Sequence, residues 1–138
     1  MSARLLPVPD QDSAPYWQAC AEHVLKLPCC SRCQAFTLPP DITCPHCHSP
    51  EPEFTWQPLA GRGTVRTWTV IRQSFLGGFK VPFVLVDVQL DDQPQVRMIG
   101  QLLDGPNAPL KIGDPVAVAF EDLAPGVAVP AFRKVQSA

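Results

Sequence analysis

The sequence lacks an excess of basic charge and a long hydrophobic run. Its 11 Lys and Arg are outnumbered by 13 Asp and Glu, which gives a net charge of −2, whereas a nucleic-acid-binding domain usually has a basic face or a high pI. No stretch approaches the roughly 20 apolar residues of a membrane helix. Pro7 and Pro9 interrupt the apolar N-terminal residues before a signal peptide develops. We therefore predict a soluble, cytoplasmic protein.

Catalytic motifs are also missing. All three histidines, His23, His46 and His48, precede the segment in which we predict a barrel, so that barrel has no imidazole. Asp87 has no second acid placed to form an acid–base pair. The sequence contains no Gly-x-Ser-x-Gly, phosphate-loop or dinucleotide motif. These absences predict a protein that is not an enzyme by itself.

Prolines are abundant, and they limit helix formation. Seventeen occur in 138 residues, and each removes a backbone donor and restricts φ. The stretch 14–27 contains the one convincing helical spacing of apolar residues. We place an N-terminal extension and helix at residues 1–27. The helix packs on its own protein in the simplest interpretation, but its aromatic residues Tyr16 and Trp17 are also candidate partner contacts.

Four cysteines form two Cys-x-x-Cys pairs, Cys30/Cys33 and Cys44/Cys47, with ten residues between the pairs. Two residues between thiolates let one tight turn direct both sulfurs at the same ion, and two such turns complete a tetrahedral site. Four thiolates suit zinc, and a site filled by protein ligands has no position for water or substrate. The spacing therefore predicts a structural Zn²⁺ site in a ribbon at residues 28–56.

Other metals and ligands remain open alternatives from the sequence. Iron bound as in a rubredoxin would use the same four thiolates. A site of three cysteines and one histidine would use His46 or His48. We interpret Cys29 and Cys20 as bystanders. A thioredoxin-like redox pair is not favoured, because no βαβ pattern accompanies the cysteines.

After Pro50 the sequence alternates with the period of two that is typical of half-buried strands. Residues 62–72 and 83–90 alternate most regularly, and the turn residues 91–94 predict a hairpin into a third strand at 96–102. Two more strands are expected at 116–120 and 131–135. Five short strands in residues 57–138 suit a closed OB barrel, with a small sandwich as the competitor. The predicted fold is mainly β: an N-terminal helix, a four-cysteine zinc ribbon and a five-stranded OB-fold barrel.

Two features of the barrel are candidate binding surfaces. Uniform alternation would place Arg62, Arg66, Trp68 and Arg72 on one strand face, where guanidinium groups can pair with phosphates and the indole can stack on a base. Alternatively these are residues of an ordinary solvated face. The second feature is a Gly-containing loop with Phe75, Leu76 and Phe79. Its apolar side chains are unfavourable in water, so they should be covered by an acyl chain, by a partner protein or by the loop folding back on the core. We favour the acyl chain or the partner.

Several motifs along residues 14–135 resemble one known family. The N-terminal half has Tyr16-Trp17, Leu25-Lys26-Leu27, Leu38-Pro39-Pro40 and the two cysteine pairs, and the barrel has Gly61-x-Gly63-x-Val65, Pro82-Phe83 and Ile112-Gly113-x-x-Val116. This pattern resembles the domain-of-unknown-function thirty-five family, which joins a rubredoxin-like zinc ribbon to an OB fold. Cys29, and Gln34 where a glycine is frequent, depart from the pattern.

The resemblance implies a non-catalytic accessory subunit in acyl-CoA metabolism. Such proteins accompany thiolase-superfamily enzymes: thiolases, aldolases or hydratase systems, including those of steroid and lipid side-chain degradation. The resemblance thus implies acyl-CoA and a thiolase-like, aldolase or hydratase protein as partners in a hetero-oligomer. The competing function is single-stranded nucleic-acid binding by a zinc-ribbon and OB protein, against which the acidic composition argues.

Overall fold

The computed structural model of this protein describes residues 4–135. Within that range the elements are, in order, α1 (Ala14–Ala21), β1 (Leu25–Cys30), β2 (Phe54–Leu59), β3 (Arg62–Ile71), β4 (Phe83–Leu90), β5 (Arg97–Gln101), β6 (Pro115–Ala124) and β7 (Val127–Lys134). The mainly β prediction is confirmed. The ends of the predicted first and last segments, residues 1–3 and 136–138, lie outside the described residues. No helix in the described range is long and apolar enough to cross a membrane.

Helix α1 is shorter than the helix predicted for residues 14–27. It ends at Ala21 because His23 adopts a positive φ of 60°. The N–H groups of His23 and Val24 then donate to the carbonyls of Cys20 and Ala19, both at 2.9 Å. This pair of hydrogen bonds is a Schellman motif, which satisfies the last carbonyls of the helix. The prediction of helix for residues 22–27 was therefore wrong.

The residues after this turn form a strand that the sequence analysis missed. Leu25 and Leu27 are buried in β1, which pairs antiparallel with β2 from Leu25↔Leu59 to Cys30↔Phe54. The apolar spacing of Leu25 and Leu27 fits a strand as well as a helix, and pairing with a distant segment decided between them. Both strands of this ladder extend across a predicted domain boundary, β1 across 27/28 and β2 across 56/57. The division into three domains stays a prediction.

Strands β3 to β7 form a closed barrel. The hydrogen-bonded order is β5-β4-β3-β6-β7 with antiparallel neighbours. A parallel bridge between Leu102 and Phe132 joins the two outer strands, and the Leu103 N–H donates to the Phe132 carbonyl at 2.8 Å. This arrangement confirms the five-stranded OB-fold prediction and not the sandwich.

A bulge in β3 reverses which residues face the core. The pairing with β4 shifts between Val65 and Thr67, so that Arg66 is an extra residue. Before the shift, odd-numbered residues such as the buried Val65 face inward. After it, Trp68 lies opposite Val86, which is completely buried. The prediction that β3 alternates uniformly was therefore wrong from Thr67 onward.

Two glycines allow β3 to approach its neighbours at the start of the barrel. A Cβ atom on Gly63 would lie 2.3 Å from Cγ1 of Val88. A Cβ atom on Gly61, whose φ is +77°, would lie 2.2 Å from Cγ1 of Val118. Neither space accommodates a side chain, so both positions require glycine.

Ribbon and barrel share one hydrophobic core. Buried residues of the ribbon pack in the same cluster as the barrel interior; the ribbon members are Leu25, Leu27, Cys29 and Phe36. Helix α1 packs against β1 and β7. Nη1 of Arg4 lies 3.0 Å from Oε2 of Glu121, and Nε2 of His23 lies 2.8 Å from Oδ1 of Asp122. The N-terminal segment is thereby tied to β6 of the barrel.

Candidate metal centre and surfaces of the barrel

Two turns of the same geometry carry the four cysteines. The N–H of Gln34 donates to the carbonyl of Cys30 at 2.8 Å, and the N–H of His48 donates to the carbonyl of Cys44 at 2.9 Å. Gln34 and His48 have φ values of 65° and 63°. Glycine adopts this conformation without strain. The residue after each second cysteine is thus held in the left-handed region although neither is glycine.

The four sulfurs converge at one point. The Sγ atoms of Cys30, Cys33, Cys44 and Cys47 all lie within 4.8 Å of one another. Two of the separations are 3.9 Å, for Cys30 to Cys47, and 3.7 Å, for Cys33 to Cys44. A Zn–S distance of about 2.3 Å places tetrahedral sulfurs about 3.8 Å apart. The cluster therefore has the dimensions of a four-thiolate zinc site.

Backbone N–H groups lie close to two of the four sulfurs. The N–H of Arg32 lies 3.4 Å from Sγ of Cys30, and the N–H of His46 lies 3.4 Å from Sγ of Cys44. Hydrogen bonds from the backbone at Cys47 and His46 lower the pKa of the Cys44 thiol to about 6. At Cys44 the thiolate, which is the form that binds metal, is thereby favoured.

The remaining cysteines and histidines of this region serve other contacts. Cys29 is buried, and its Sγ points to Oε1 of Gln34 at 3.8 Å. Nε2 of His46 lies 3.2 Å from the carbonyl oxygen of Phe36. Neither residue, nor His48, belongs to the group of converging ligands among the described residues. Burial raises the pKa of the Cys20 thiol to about 11, so this cysteine is an inert core residue.

The positive φ at His48 gives a test of the second turn. We expect His48→Val to be less stable than His48→Gly by about 1–2 kcal/mol, because a β-branched residue is strained in this conformation and glycine is not. Thermal melting of the zinc-loaded variants measures the difference. Thr43→Val and Thr43→Gly, at an exposed position of the same module, are the controls. This pair should lack the preference for glycine. Equal melting temperatures of His48→Val and His48→Gly would contradict the geometry of this turn.

The basic surface differs from the one predicted. Arg62 and Arg66 are exposed on the outer face of the barrel, and Nη1 of Arg66 donates to Oε1 of Gln89 at 3.2 Å. Trp68 is on the opposite face because of the bulge, and is 37% exposed. Arg72 follows the end of β3 and is exposed. The predicted shared face of these residues was therefore wrong, whereas their binding of CoA stays a prediction.

Sequence reasoning missed a further cation on this outer face. Arg97 on β5 pairs with Gln89 on β4, and Thr64 of β3 pairs with Gln89 from the other side. Arg66 of β3 donates to Gln89, so Arg66 and Arg97 flank this residue. The turn at residues 91–94 was the available signal, because it determines that residues 89 and 97 are neighbours.

The loop between β3 and β4 divides into an exposed part and a packed part. Phe75 is 91% exposed and Leu76 is 56% exposed. Phe79 instead stacks on Phe83, with 5.3 Å between ring centroids, and the Arg4 guanidinium lies 4.6 Å from the centroid of the Phe79 ring. Phe75 and Leu76 are therefore available to a partner, while Phe79 holds the loop on the barrel.

The two aromatic residues of α1 contact each other and the body of the protein. The Tyr16 and Trp17 rings are 4.9 Å apart in an edge-to-face arrangement. Tyr16 packs against the core cluster, and burial raises the pKa of its phenol. Tyr16 thus packs mainly against the protein's own core. A partner contact at Tyr16 or Trp17 stays a prediction.

These elements define a class of protein: a four-cysteine ribbon whose core is continuous with that of an OB barrel. Family models agree with both parts. The model described as the ChsH2 rubredoxin-like zinc ribbon domain matches residues 17–53. The model described as the ChsH2 C-terminal OB-fold domain matches residues 56–121. No curated protein matches the chain at a significant level.

Solved structures show the same arrangement. The structure titled "Ltp2-ChsH2(DUF35) aldolase" has 26% identity and a TM-score of 0.80, covering 93% of this chain and 98% of the matched chain. A DUF35-family protein of unknown function from Sulfolobus solfataricus has 10% identity and a TM-score of 0.60, covering 91% of this chain and 86% of its own. The second likeness shows the fold alone.

This protein belongs to the ChsH2-type, or domain-of-unknown-function thirty-five, family of zinc-ribbon and OB-fold proteins. The family prediction made from the cysteine and proline motifs is thereby confirmed. The prediction of a structural zinc bound by four cysteines is confirmed as well, since the converging sulfurs lie in the part of the chain that matches the zinc ribbon.

Proposed function

We propose that this protein is a non-catalytic accessory subunit that binds a thiolase-superfamily enzyme in an aldolase complex and helps to bind its acyl-CoA. The observation that carries this proposal is the likeness to a chain of the Ltp2-ChsH2(DUF35) aldolase, which extends over 93% of this chain and includes both domains. A cytoplasmic location fits four reduced thiolates on a metal. The proposed substrate of the enzyme is an acyl-CoA from the degradation of steroid or lipid side chains.

The exposed apolar loop supports a protein partner. Phe75 and Leu76 are large side chains in contact with water, and burying each in an interface would contribute about 1.5–3 kcal/mol. The Arg4 contact with Phe79 places the N-terminal segment beside this loop, and that segment has two exposed residues of its own, Leu5 and Leu6. Loop and segment together offer a hydrophobic docking surface.

The outer face of the barrel supports a role in binding CoA. Arg62, Arg66 and Arg97 are exposed there, and Arg66 and Arg97 flank Gln89. Guanidinium groups form charge-assisted hydrogen bonds with phosphate oxygens, and CoA carries several phosphates. Trp68 lies on the other face of β3, so its stacking on the adenine would require the ligand to reach around the strand. We therefore propose that the arginines bind the phosphates of CoA, and we assign no CoA contact to Trp68 on that face.

Co-expression tests the proposal directly. The chain is produced with an Ltp2-type aldolase subunit, and light scattering during size exclusion measures the mass of the product. We expect a stable hetero-oligomer that binds an acyl-CoA in calorimetry. Arg66→Gln should weaken this binding about tenfold, the loss of one charge-assisted hydrogen bond, whereas Arg133→Gln on exposed β7 should not change it. Separate elution of the proteins, or tight salt-sensitive binding of single-stranded DNA by the chain, would favour the competing function.

A further inference from the structure

The outer face of β3, β4 and β5 contains a groove that the proposed function does not use. Its volume is about 370 Å³. Cross-strand pairing places Thr67, Asp87 and Ile99 in one row across the three strands. Leu85 lies in the next row, between Thr69 and Gln101. Trp68 and Val86 also line the groove, so its lining is mainly apolar and its polar groups include threonine hydroxyls and one carboxylate.

Asp87 is unsatisfied in this groove. Its Oδ1 atom is buried and has no hydrogen-bond partner among the described residues. Its neighbours across the sheet are Thr67 on β3 and Ile99 on β5. A buried polar oxygen without a donor is unfavourable, and such groups are rare in native proteins. In the isolated chain this oxygen therefore lacks a donor among residues 4–135.

The wall of the groove at Ile99 also indicates an occupant. The Ile99 side chain is 72% exposed, and Leu85 beside Asp87 is partly buried. A free cation would be held by the carboxylate but would leave the apolar wall in water. A long basic side chain from a polypeptide supplies both a donor for the carboxylate and an aliphatic stem that can lie along the apolar lining at Leu85.

The edge of β3 beside this groove is open. Strand β6 pairs with β3 only at Arg62, Gly63 and Thr64, and the adjoining loop bonds to Val65 through Gly113 and Asp114. From residue 67 to residue 71, the described chain places no strand on the side of β3 away from β4. Such an edge presents unpaired N–H and C=O groups to which an extended segment can add as a further strand.

We propose that an extended segment of the partner enzyme pairs with the edge of β3 at residues 67–71 and places a Lys or Arg side chain over Asp87. The inference rests on the proposed function, because the partner is the enzyme of that complex. Strands lie about 4.8 Å apart, so an added strand is about 10 Å from β4, within reach of a long basic side chain. The same hairpin ends in the loop with Phe75 and Leu76, so the two surfaces form one interface.

A competing cationic donor lies on this chain. Arg97 occupies the Gln89 row next to Asp87 on the same face, and Arg66 already donates to Gln89. If Arg97 turned to Asp87, the carboxylate would stabilise the isolated chain. If instead the partner supplies the donor, the carboxylate destabilises the isolated chain and stabilises the complex. These two cases predict opposite effects on the melting temperature.

Asp87→Asn and Asp87→Leu test the inference. In the isolated chain we expect Asp87→Leu to melt at the wild-type temperature or above. In the complex with the co-expressed Ltp2-type subunit, both variants should bind at least tenfold more weakly. Asp92→Asn, which removes the same charge from the exposed β4–β5 turn, should match wild type in both measurements. A lowered melting temperature of the isolated Asp87→Leu variant, or unchanged affinity of both Asp87 variants, overturns the role of Asp87.

Hydrogen exchange tests the added strand independently. The amides of residues 67–71 that point away from β4 should exchange rapidly in the isolated chain and slowly in the wild-type complex. Unchanged exchange on complex formation overturns strand addition while leaving the proposed function intact. If the wild-type chain forms no complex with the Ltp2-type subunit, both the proposed function and this inference are overturned.

Discussion

Replacing Cys44 with serine is expected to yield a chain whose ribbon does not fold. Structural zinc in small modules supplies roughly 10–16 kcal/mol of apparent binding free energy, far more than a two-stranded sheet obtains from its own contacts. The effect should extend to the barrel, because Leu25, Leu27 and Phe36 of the ribbon belong to the common core. We therefore expect insoluble or protease-sensitive protein, measured by soluble yield and by limited proteolysis. Cys33→Ser should behave in the same way.

Zinc content and a matched cysteine variant make this prediction specific. Wild-type protein should contain about one zinc per chain by elemental analysis, and a strong chelator should reproduce the proteolysis of the Cys44→Ser variant. Cys20→Ala is the control, since Cys20 is fully buried away from the metal-binding group. This variant should retain its zinc and lose only modest stability. A wild-type protein with well under one zinc per chain, or a folded, zinc-loaded Cys44→Ser variant, would refute the prediction.

Removing the exposed side chains of the β3–β4 loop is expected to weaken association with the partner enzyme by about thirtyfold or more without changing the stability of the isolated chain. Both side chains that the double variant Phe75→Ala with Leu76→Ala removes are exposed to solvent in the isolated chain. The melting temperature of the variant should therefore not fall. Truncating an aromatic anchor at an interface weakens binding by about 2 kcal/mol or more, roughly thirtyfold in affinity. Titration of the variant against an Ltp2-type subunit, together with thermal melting, measures both effects.

Phe79→Ala is the matched comparison within the same loop. Phe79 packs between Arg4 and Phe83, so its truncation should lower the melting temperature, as the loss of a packed aromatic does. Any loss of binding would then follow from a displaced loop. If Phe75→Ala with Leu76→Ala lowers the melting temperature as strongly as Phe79→Ala, or leaves the affinity unchanged, the loop is part of the fold and not a docking surface.

The metal site and the β4 strand could be derived from local sequence because each depends on short-range chemistry. Two residues between cysteines suffice to direct both sulfurs at one ion, and all four predicted ligands converge in the structure. The alternation of residues 84–90 places every second residue in the core, and Val84, Val86, Val88 and Leu90 are buried. Turn residues at 91–94 were enough to predict the following hairpin.

The fate of residues 22–27 could not be derived in this way. Leu25 and Leu27 have a spacing that fits either a short helix or a strand. A left-handed residue at His23 and pairing with β2, which lies about thirty residues further along the chain, selected the strand. Local propensity does not contain the free energy of a pairing between distant segments. The same limitation hid the separate roles of Phe75 and Phe79, since only the contacts of Phe79 with Phe83 and Arg4 distinguish them.

By itself, the sequence determined the family, the zinc ligands and a mainly β chain with an OB barrel, because these follow from spacing, turn chemistry and periodicity within short windows. The tertiary structure decided which surfaces exist. One inserted residue at Arg66 moved Trp68 to the face opposite Arg62 and Arg66, because side chains in a strand alternate with a period of two and an insertion exchanges the faces. Strand pairing then brought Arg97 beside Gln89 and placed Asp87 between Thr67 and Ile99 in the sheet. These neighbours are separated along the chain and meet only in the folded sheet.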